Sequence, residues 1–243
     1  MRLSHLMLLL ATLLAAFAPG PRVQAAAAPS GHWEGKIQIP ERETAFAVDL
    51  AQGPAGAWIG SLTIKGATAV DVPLTDISVK DATVRFTASL PGTTTFEGSL
   101  SADASRLTGN VGNVEGAVPF ELARSGEASV KLPPASSALS KDFEGTWEGA
   151  VVADGNTRRI VLKLSPAPDG TAKGLLISVD KGNLEIPITT VTLKGNQLEL
   201  DARAVGGTYR GTLGANGEIA GEWVEKTSRI PLTFKRRPVA PGL

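Results

Sequence analysis

Apolar and polar positions alternate along most of the chain after residue 30. The odd-numbered positions from Trp33 to Ile39 are apolar or glycine, whereas the positions between them carry Glu, Lys and Gln. The same period of two recurs in the segments 46–50, 58–64, 84–90, 96–100, 107–111 and 118–122. This period is typical of antiparallel strands buried on one face, and no stretch after the N-terminal region offers a comparable helical stripe. The pattern therefore predicts an all-β chain.

A second copy of the pattern begins near residue 145. Gly31-His32-Trp33-Glu34-Gly35 matches Gly145-Thr146-Trp147-Glu148-Gly149 at an offset of 114. The offset falls to 113 at Phe96/Tyr209 and to 112 at Arg124/Arg236, as small loop deletions would produce. The sequence thus predicts two domains, residues 31–124 and 145–237. Residues 125–144, rich in Ser, Ala and Pro, are predicted to be the linker between them.

Each repeat contains about eight short strand-like runs joined by tight turns. A meander of this kind must bury its apolar face, and closing it into a ring also removes both exposed edges. We therefore predict two tandem, lipocalin-like, up-and-down β-barrels. A two-sheet sandwich and one large barrel made from both repeats are the alternatives. Pro73, Pro119, Pro187 and Pro231 lie inside strand-like runs and should mark strand starts, bulges or edges, because proline cannot donate to a strand ladder.

The first 25 residues resemble an export signal. Arg2 provides the positive start, residues 6–18 the apolar run, and Val23-Gln24-Ala25 a small-residue cleavage site. The run is too short for a membrane span, so no membrane insertion is expected after cleavage. A non-cleaved anchor is the alternative. The expected location is the periplasm or the outside of the cell.

Composition narrows the chemistry available to the exported chain. Cysteine is absent, and removal of the predicted signal leaves His32 as the only histidine. Removal of Arg2 and Arg22 from 24 basic residues leaves 22 against 24 acidic ones, a net charge of −2. A net charge of this size gives no electrostatic reason to expect nucleic-acid binding. We expect a monomer without cofactor, metal or catalytic residues, and an enzyme built on His32 is the weakest alternative.

Differences between the repeats indicate where a ligand or partner could bind. Trp58 corresponds to Ala172, and Val111 corresponds to Trp223. If positions 58 and 111 faced one internal volume, a large and a small residue would fill it in either order. The aromatic residues proposed as ligand or partner contacts are Trp58, Phe96, Tyr209 and Trp223. Inward glycines such as Gly35, Gly109 and Gly221 are interpreted as allowing close strand packing, with a ligand cleft as the alternative.

The Gly-x-Trp-x-Gly opening resembles the first strand of lipocalin-like barrels. That resemblance implies that Trp33 and Trp147 each close one barrel end, with an arginine of the last strand, Arg124 or Arg236, across the indole. Such a pair gives a cation–π contact without any family argument. We therefore interpret Trp33–Arg124 and Trp147–Arg236 as structural pairs.

A closer resemblance is to repeat modules found ahead of the catalytic domain in secreted bacterial serine hydrolases and α/β hydrolases. The second repeat has their run of motifs: Gly174, Ile186-Pro187-Ile188, Tyr209-Arg210-Gly211-Thr212-Leu213, Ile219-Ala220-Gly221-Glu222-Trp223 and Pro231-Leu232-Thr233-Phe234. No Gly-x-Ser-x-Gly elbow is present, so we expect these modules to occur here without the catalytic domain. The sequence therefore favours an exported, non-catalytic binding module for a small apolar ligand. The alternative is an accessory module that partners an envelope hydrolase.

Overall fold

A computed structural model describes residues 28–39, 42–92, 94–113, 116–153 and 155–237. These residues form seventeen strands and one short 3₁₀ helix, which confirms the all-β prediction. None of the described segments is a helix long and apolar enough to cross a membrane. The predicted export signal lies outside the described residues.

The first repeat is a closed eight-stranded antiparallel barrel, as the alternation predicts. Each strand pairs with the next one along the chain, and the first and last strands pair to close the ring, with Trp33 opposite Arg124. The strands are β1 Gly31–Ile39, β2 Arg42–Gln52, β3 Trp58–Ile64, β4 Val72–Lys80, β5 Thr83–Ala88, β6 Thr94–Leu100, β7 Arg106–Asn113 and β8 Gly116–Gly126.

The second repeat is a nine-stranded, strongly curled sheet in the order β12-β11-β10-β9-β17-β16-β15-β14-β13. We call it the second barrel, although its ladder is open between β12 and β13. The 3₁₀ helix Val179–Lys181 precedes β12. The strands are β9 Gly145–Ala153, β10 Asn156–Pro166, β11 Ala172–Ser178, β12 Leu184–Pro187, β13 Thr190–Lys194, β14 Gln197–Ala202, β15 Gly207–Leu213, β16 Glu218–Glu225 and β17 Ser228–Arg236.

The fourth strand of each repeat changes its partner at the predicted proline. In the first barrel, β4 pairs with β3 only at Val72 and Pro73 before it passes to β5. In the second, β12 ends at Pro187, and the Thr189 N–H then donates to the carbonyl of Asp201 in β14 at 2.7 Å. Because proline has no N–H, it ends a ladder at little cost. The pairing of this fourth strand therefore determines whether the ring of hydrogen-bonded strands closes.

Part of the predicted linker fills the opening that this change of partner leaves in the second barrel. We call residues 134–139 the strap. The Ser137 N–H donates to the Val191 carbonyl (2.8 Å) and the Ser137 carbonyl accepts from the Ala172 N–H (2.7 Å). The Ser136 hydroxyl accepts from the Val191 N–H at 3.1 Å. The strap therefore forms hydrogen bonds with backbone groups on β13 and at the start of β11 that have no partner in the strand ladder.

Inward glycines lie where neighbouring strands approach most closely. A Cβ atom on Gly35, Gly109 or Gly221 would lie 1.9, 2.0 or 2.1 Å from a carbonyl oxygen of the adjacent strand. Any side chain there would force the strands apart. The packing interpretation of these glycines is therefore confirmed.

Candidate functional site

The two predicted tryptophan–arginine pairs are present at equivalent ends of the barrels. The guanidinium carbon of Arg124 lies 4.9 Å from the centre of the Trp33 ring, and that of Arg236 lies 4.2 Å from the Trp147 ring. Both indoles are fully buried. We call this the tryptophan end of each barrel and the opposite end its mouth.

The chain entering each barrel completes a cap over the tryptophan end. In each repeat the indole N–H donates to a carbonyl four residues before the tryptophan, at 2.9 Å in the first and 3.0 Å in the second. The arginine donates to the carbonyl one residue earlier still. These acceptors are Pro29 and Ala28 in the first repeat and Phe143 and Asp142 in the second. Because the cap satisfies both indole N–H groups, neither has a free donor for a ligand.

Two of the four proposed contact residues lie in the cores. Phe96 stacks on Phe86 with ring centres 4.8 Å apart and is 1% exposed. Tyr209 is fully buried, and its hydroxyl lies 3.0 Å from the Ile219 carbonyl and 3.1 Å from the Leu232 carbonyl. Burial raises the pKa of Tyr209. Phe96 and Tyr209 therefore pack the barrels.

Trp58 and Val111 do not share an internal volume. Trp58 is half-buried and pairs with Gln52 at the tryptophan end of the first barrel. Val111 pairs with Val118 close to the mouth. Because neighbouring strands run in opposite directions, the two positions lie at opposite ends of the barrel, and the expected exchange between them is wrong.

Trp223 lies at the mouth of the second barrel and lines a cavity of about 360 Å³. The cavity wall is mainly aliphatic. Strands β9 to β12 contribute one part of it, and strands β16 and β17 contribute another. Charged side chains occur at three places in the lining. The aliphatic residues are Val151, Ile160, Leu176, Leu184, Ile186, Val205, Ile230 and Leu232, and the charged ones are Arg158, Lys181 and Glu225.

The cavity occupies the volume that phenylalanines fill in the first barrel. Phe46 and Phe120 lie in that core with ring centres 6.4 Å apart. Their counterparts, at offsets of 114 and 112, are Ile160 and Leu232, which line the cavity. Replacement of two aromatic rings by smaller side chains removes volume at these two positions, although the second repeat has larger side chains at two others, Trp223 and Phe234. The sequence-based prediction of contact residues did not include Ile160 or Leu232. Alignment of the repeats does show that each is a smaller residue where the first repeat has phenylalanine.

A glycine beneath the Trp223 indole fixes where the ring lies. A Cβ atom on Gly207 would be 1.9 Å from Cζ2 of Trp223. The corresponding residues in the first repeat are Thr94 and Val111. The second repeat therefore combines a large residue on β16 with a glycine on β15 that leaves space for it, whereas the first repeat has neither. This pairing places the indole across the mouth.

His32 lies on the outer face of the first barrel between two carboxylates. Its Nδ1 is 3.0 Å from Oδ1 of Asp49, and its Nε2 is 3.4 Å from Oε1 of Glu34. The hydrogen bond with Asp49 raises the pKa of His32 above 6.5, and Glu34 adds to the effect. Since both ring nitrogens face carboxylates, the imidazole is not placed to activate a hydroxyl nucleophile. Among the described residues no cluster of His, Asp and Glu has the arrangement of a metal site.

Comparison with known proteins gives two similar solved structures and no family. No family model matches the chain. No curated protein matches it either. It is similar to a protein of unknown function from the DUF3598 family of Nostoc punctiforme, with 15% identity, coverage of 86% of this chain and 96% of that one, and a TM-score of 0.24. It is also similar to a Bacteroides fragilis protein described as a "putative outer membrane protein", with 14% identity, 86% and 98% coverage, and a TM-score of 0.27.

Proposed function

We propose that this protein is an exported, non-catalytic binding protein whose second barrel holds a small apolar molecule. The observation that carries the proposal is the cavity of about 360 Å³ at the mouth of that barrel. Ligand pockets span about 300–1,000 Å³ and are lined mainly by apolar side chains. This cavity lies near the lower limit of that range, which favours a ligand with few non-hydrogen atoms. The predicted export signal supports a location in the periplasm or outside the cell.

The asymmetry between the repeats supports binding rather than loose packing. An unfilled apolar space lowers stability, because its lining loses contact atoms on one side. The first barrel shows that the same framework accepts phenylalanine at both positions. The second barrel instead has smaller residues there, together with an indole at the opening. A bound apolar molecule would restore the missing contacts.

The proposal is tested by filling the cavity with the residues of the first repeat. N-phenylnaphthylamine, a neutral dye that fluoresces in apolar surroundings, is titrated into the mature protein and into the double variant Ile160→Phe/Leu232→Phe. We expect saturable binding to the mature protein and at least a tenfold weaker affinity in the filled variant. The variant should unfold at the same or a higher temperature, because filling a cavity adds apolar contacts.

A reverse variant in the first barrel serves as the matched control. Phe46→Ile/Phe120→Leu makes the same exchange in the opposite direction and leaves the second barrel intact, so dye binding to the natural cavity should persist. Failure of the dye and of straight-chain alcohols to bind the mature protein would refute the proposed function. Equal binding by the filled variant would show that the dye uses another surface.

An accessory module that binds an extended segment of an envelope hydrolase is the second candidate. It is favoured by the short ladder between β9 and β17, which consists of two residue pairs, Glu148 with Lys235 and Trp147 with Arg236. Beyond these two pairs, the facing edges of β9 and β17 could accept backbone hydrogen bonds from an added strand. Co-purification of a hydrolase that is lost on substituting Val152 by Pro at this edge would support this candidate, and a partner indifferent to that change would oppose it.

A further inference from the structure

The mouth of the second barrel is bordered by a segment of the first. Residues 65–71, which connect β3 to β4, form what we call the rim segment. Its Thr68 lines the same cavity as Val205 and Trp223. A Cβ atom on Gly206 would lie 2.7 Å from the Thr68 Cβ and 2.9 Å from the Thr68 carbonyl oxygen. The two barrels therefore meet backbone against backbone beside the cavity.

Arg203 holds the rim segment in this position. Its Nη1 donates to the Asp71 carbonyl at 2.9 Å and to the Lys131 carbonyl at 3.2 Å. Its Nε donates to the Asp201 carboxylate at 3.3 Å, which orients the guanidinium. One side chain of the second barrel thus contacts the last residue of the rim segment and the chain that joins the barrels. The equivalent residue of the first repeat, at an offset of 114, is Ser89, so this contact belongs to the second repeat alone.

We propose that the rim segment sets the longest ligand that the pocket accepts and that Arg203 is the positioning residue for this limit. The inference rests on the proposed function and specifies how the site selects among apolar ligands. A flexible side chain at the opening would move aside for a longer ligand. Contact between two backbones, fixed by hydrogen bonds to a guanidinium, yields far less readily. The first barrel would therefore act as part of the second barrel's binding site.

Chain length provides the readout. Each methylene group that becomes buried improves affinity about fourfold, because burial contributes about 0.8 kcal/mol. In the mature protein this gain should continue with ligand length until the chain reaches the rim segment and should then stop. The length at which it stops reports the position of the rim, whereas general stability does not affect it.

The experiment measures displacement of N-phenylnaphthylamine by straight-chain alcohols from hexanol to hexadecanol. In Arg203→Met we expect the gain to continue for further methylenes, so that the longest alcohols bind about tenfold more tightly than to the mature protein. Short alcohols should bind equally to both. In Thr68→Trp, which adds bulk at the opening and keeps Arg203, the limit should move to shorter alcohols.

Arg210→Met is the matched control, because Arg210 lies on the outer face and pairs with Glu199 at 3.1 Å. It should leave the limit unchanged. If alcohols bind but the limit is the same in the mature protein, Arg203→Met and Thr68→Trp, the rim segment has no role and the inference is overturned. If neither dye nor alcohols bind the mature protein, it is the proposed function itself that fails.

Discussion

Removal of the Arg236 guanidinium tests whether the cap over Trp147 stabilises the second barrel. In Arg236→Leu the cation–π contact at 4.2 Å is lost, together with hydrogen bonds to the Glu144 and Asp142 carbonyls. An exposed cation–π contact contributes about 0.5–1 kcal/mol. Each hydrogen bond contributes about 0.5–1.5 kcal/mol net, and water replaces part of that because the arginine is exposed. We expect a loss of about 2 kcal/mol in the free energy of unfolding.

Urea denaturation followed by tryptophan fluorescence and by circular dichroism measures this loss. For a barrel of about this length, 2 kcal/mol corresponds to a fall of about 10 °C in Tm. Arg236→Lys should recover part of the stability, because it keeps the charge but cannot reach two carbonyls with one planar group. Arg210→Leu, which removes an exposed ion pair with Glu199, should cost at most about 1 kcal/mol. Equal losses in Arg236→Leu and Arg210→Leu would refute a stabilising cap.

Three further predictions concern single residues. Tyr209→Phe should lower the free energy of unfolding by about 1–2 kcal/mol in a denaturant titration, because the Ile219 and Leu232 carbonyls lose the one hydroxyl proton that lies between them. Gly221→Ala should cost about 3 kcal/mol or prevent folding, since its Cβ would overlap a carbonyl oxygen, whereas Gly126→Ala, with its nearest atom at 4.0 Å, should be neutral. The pKa of His32 is raised, so its stabilising contribution is complete below pH 6.5 and is lost as the pH rises through the folded-state pKa. An NMR titration should give a lower pKa for His32 in Asp49→Asn than in the unchanged protein. An unchanged pKa would contradict the assignment of the shift to Asp49.

Alternation along the chain could predict the strands because each strand keeps one face in a core. The prolines could predict the irregular fourth strand, since the loss of an N–H donor has the same consequence in both repeats. The strap could not be predicted. Ser136 and Ser137 hold the second barrel through backbone and hydroxyl groups, which leave no apolar period in the sequence. A stretch rich in Ser and Pro has the composition of a linker even where it lies in a wall.

The candidate site was only partly visible in the sequence for a different reason. Trp223 could be found as an aromatic residue present in one repeat and absent from the other. The cavity beside it arises from what Ile160 and Leu232 lack in comparison with Phe46 and Phe120. Such a loss of volume acquires meaning only when the strands are known to face one another. Tyr209, which aligns with Phe96, shows the converse, since its hydroxyl suggests a site and instead bonds two core carbonyls.

The differences between the repeats make the first barrel closed and densely packed and the second barrel more open. The first barrel is a closed ring with four phenylalanines in contact, including Phe86 stacked on Phe96, and this arrangement favours rigidity over access. The second barrel has a shorter closing ladder, smaller residues at the positions of Phe46 and Phe120, and an opening in its sheet. Those losses are compensated from outside its own strands, by the strap and by the contact between Arg203 and the rim segment. A duplicated fold can thus use one copy as support, which allows the other to remain open at its mouth.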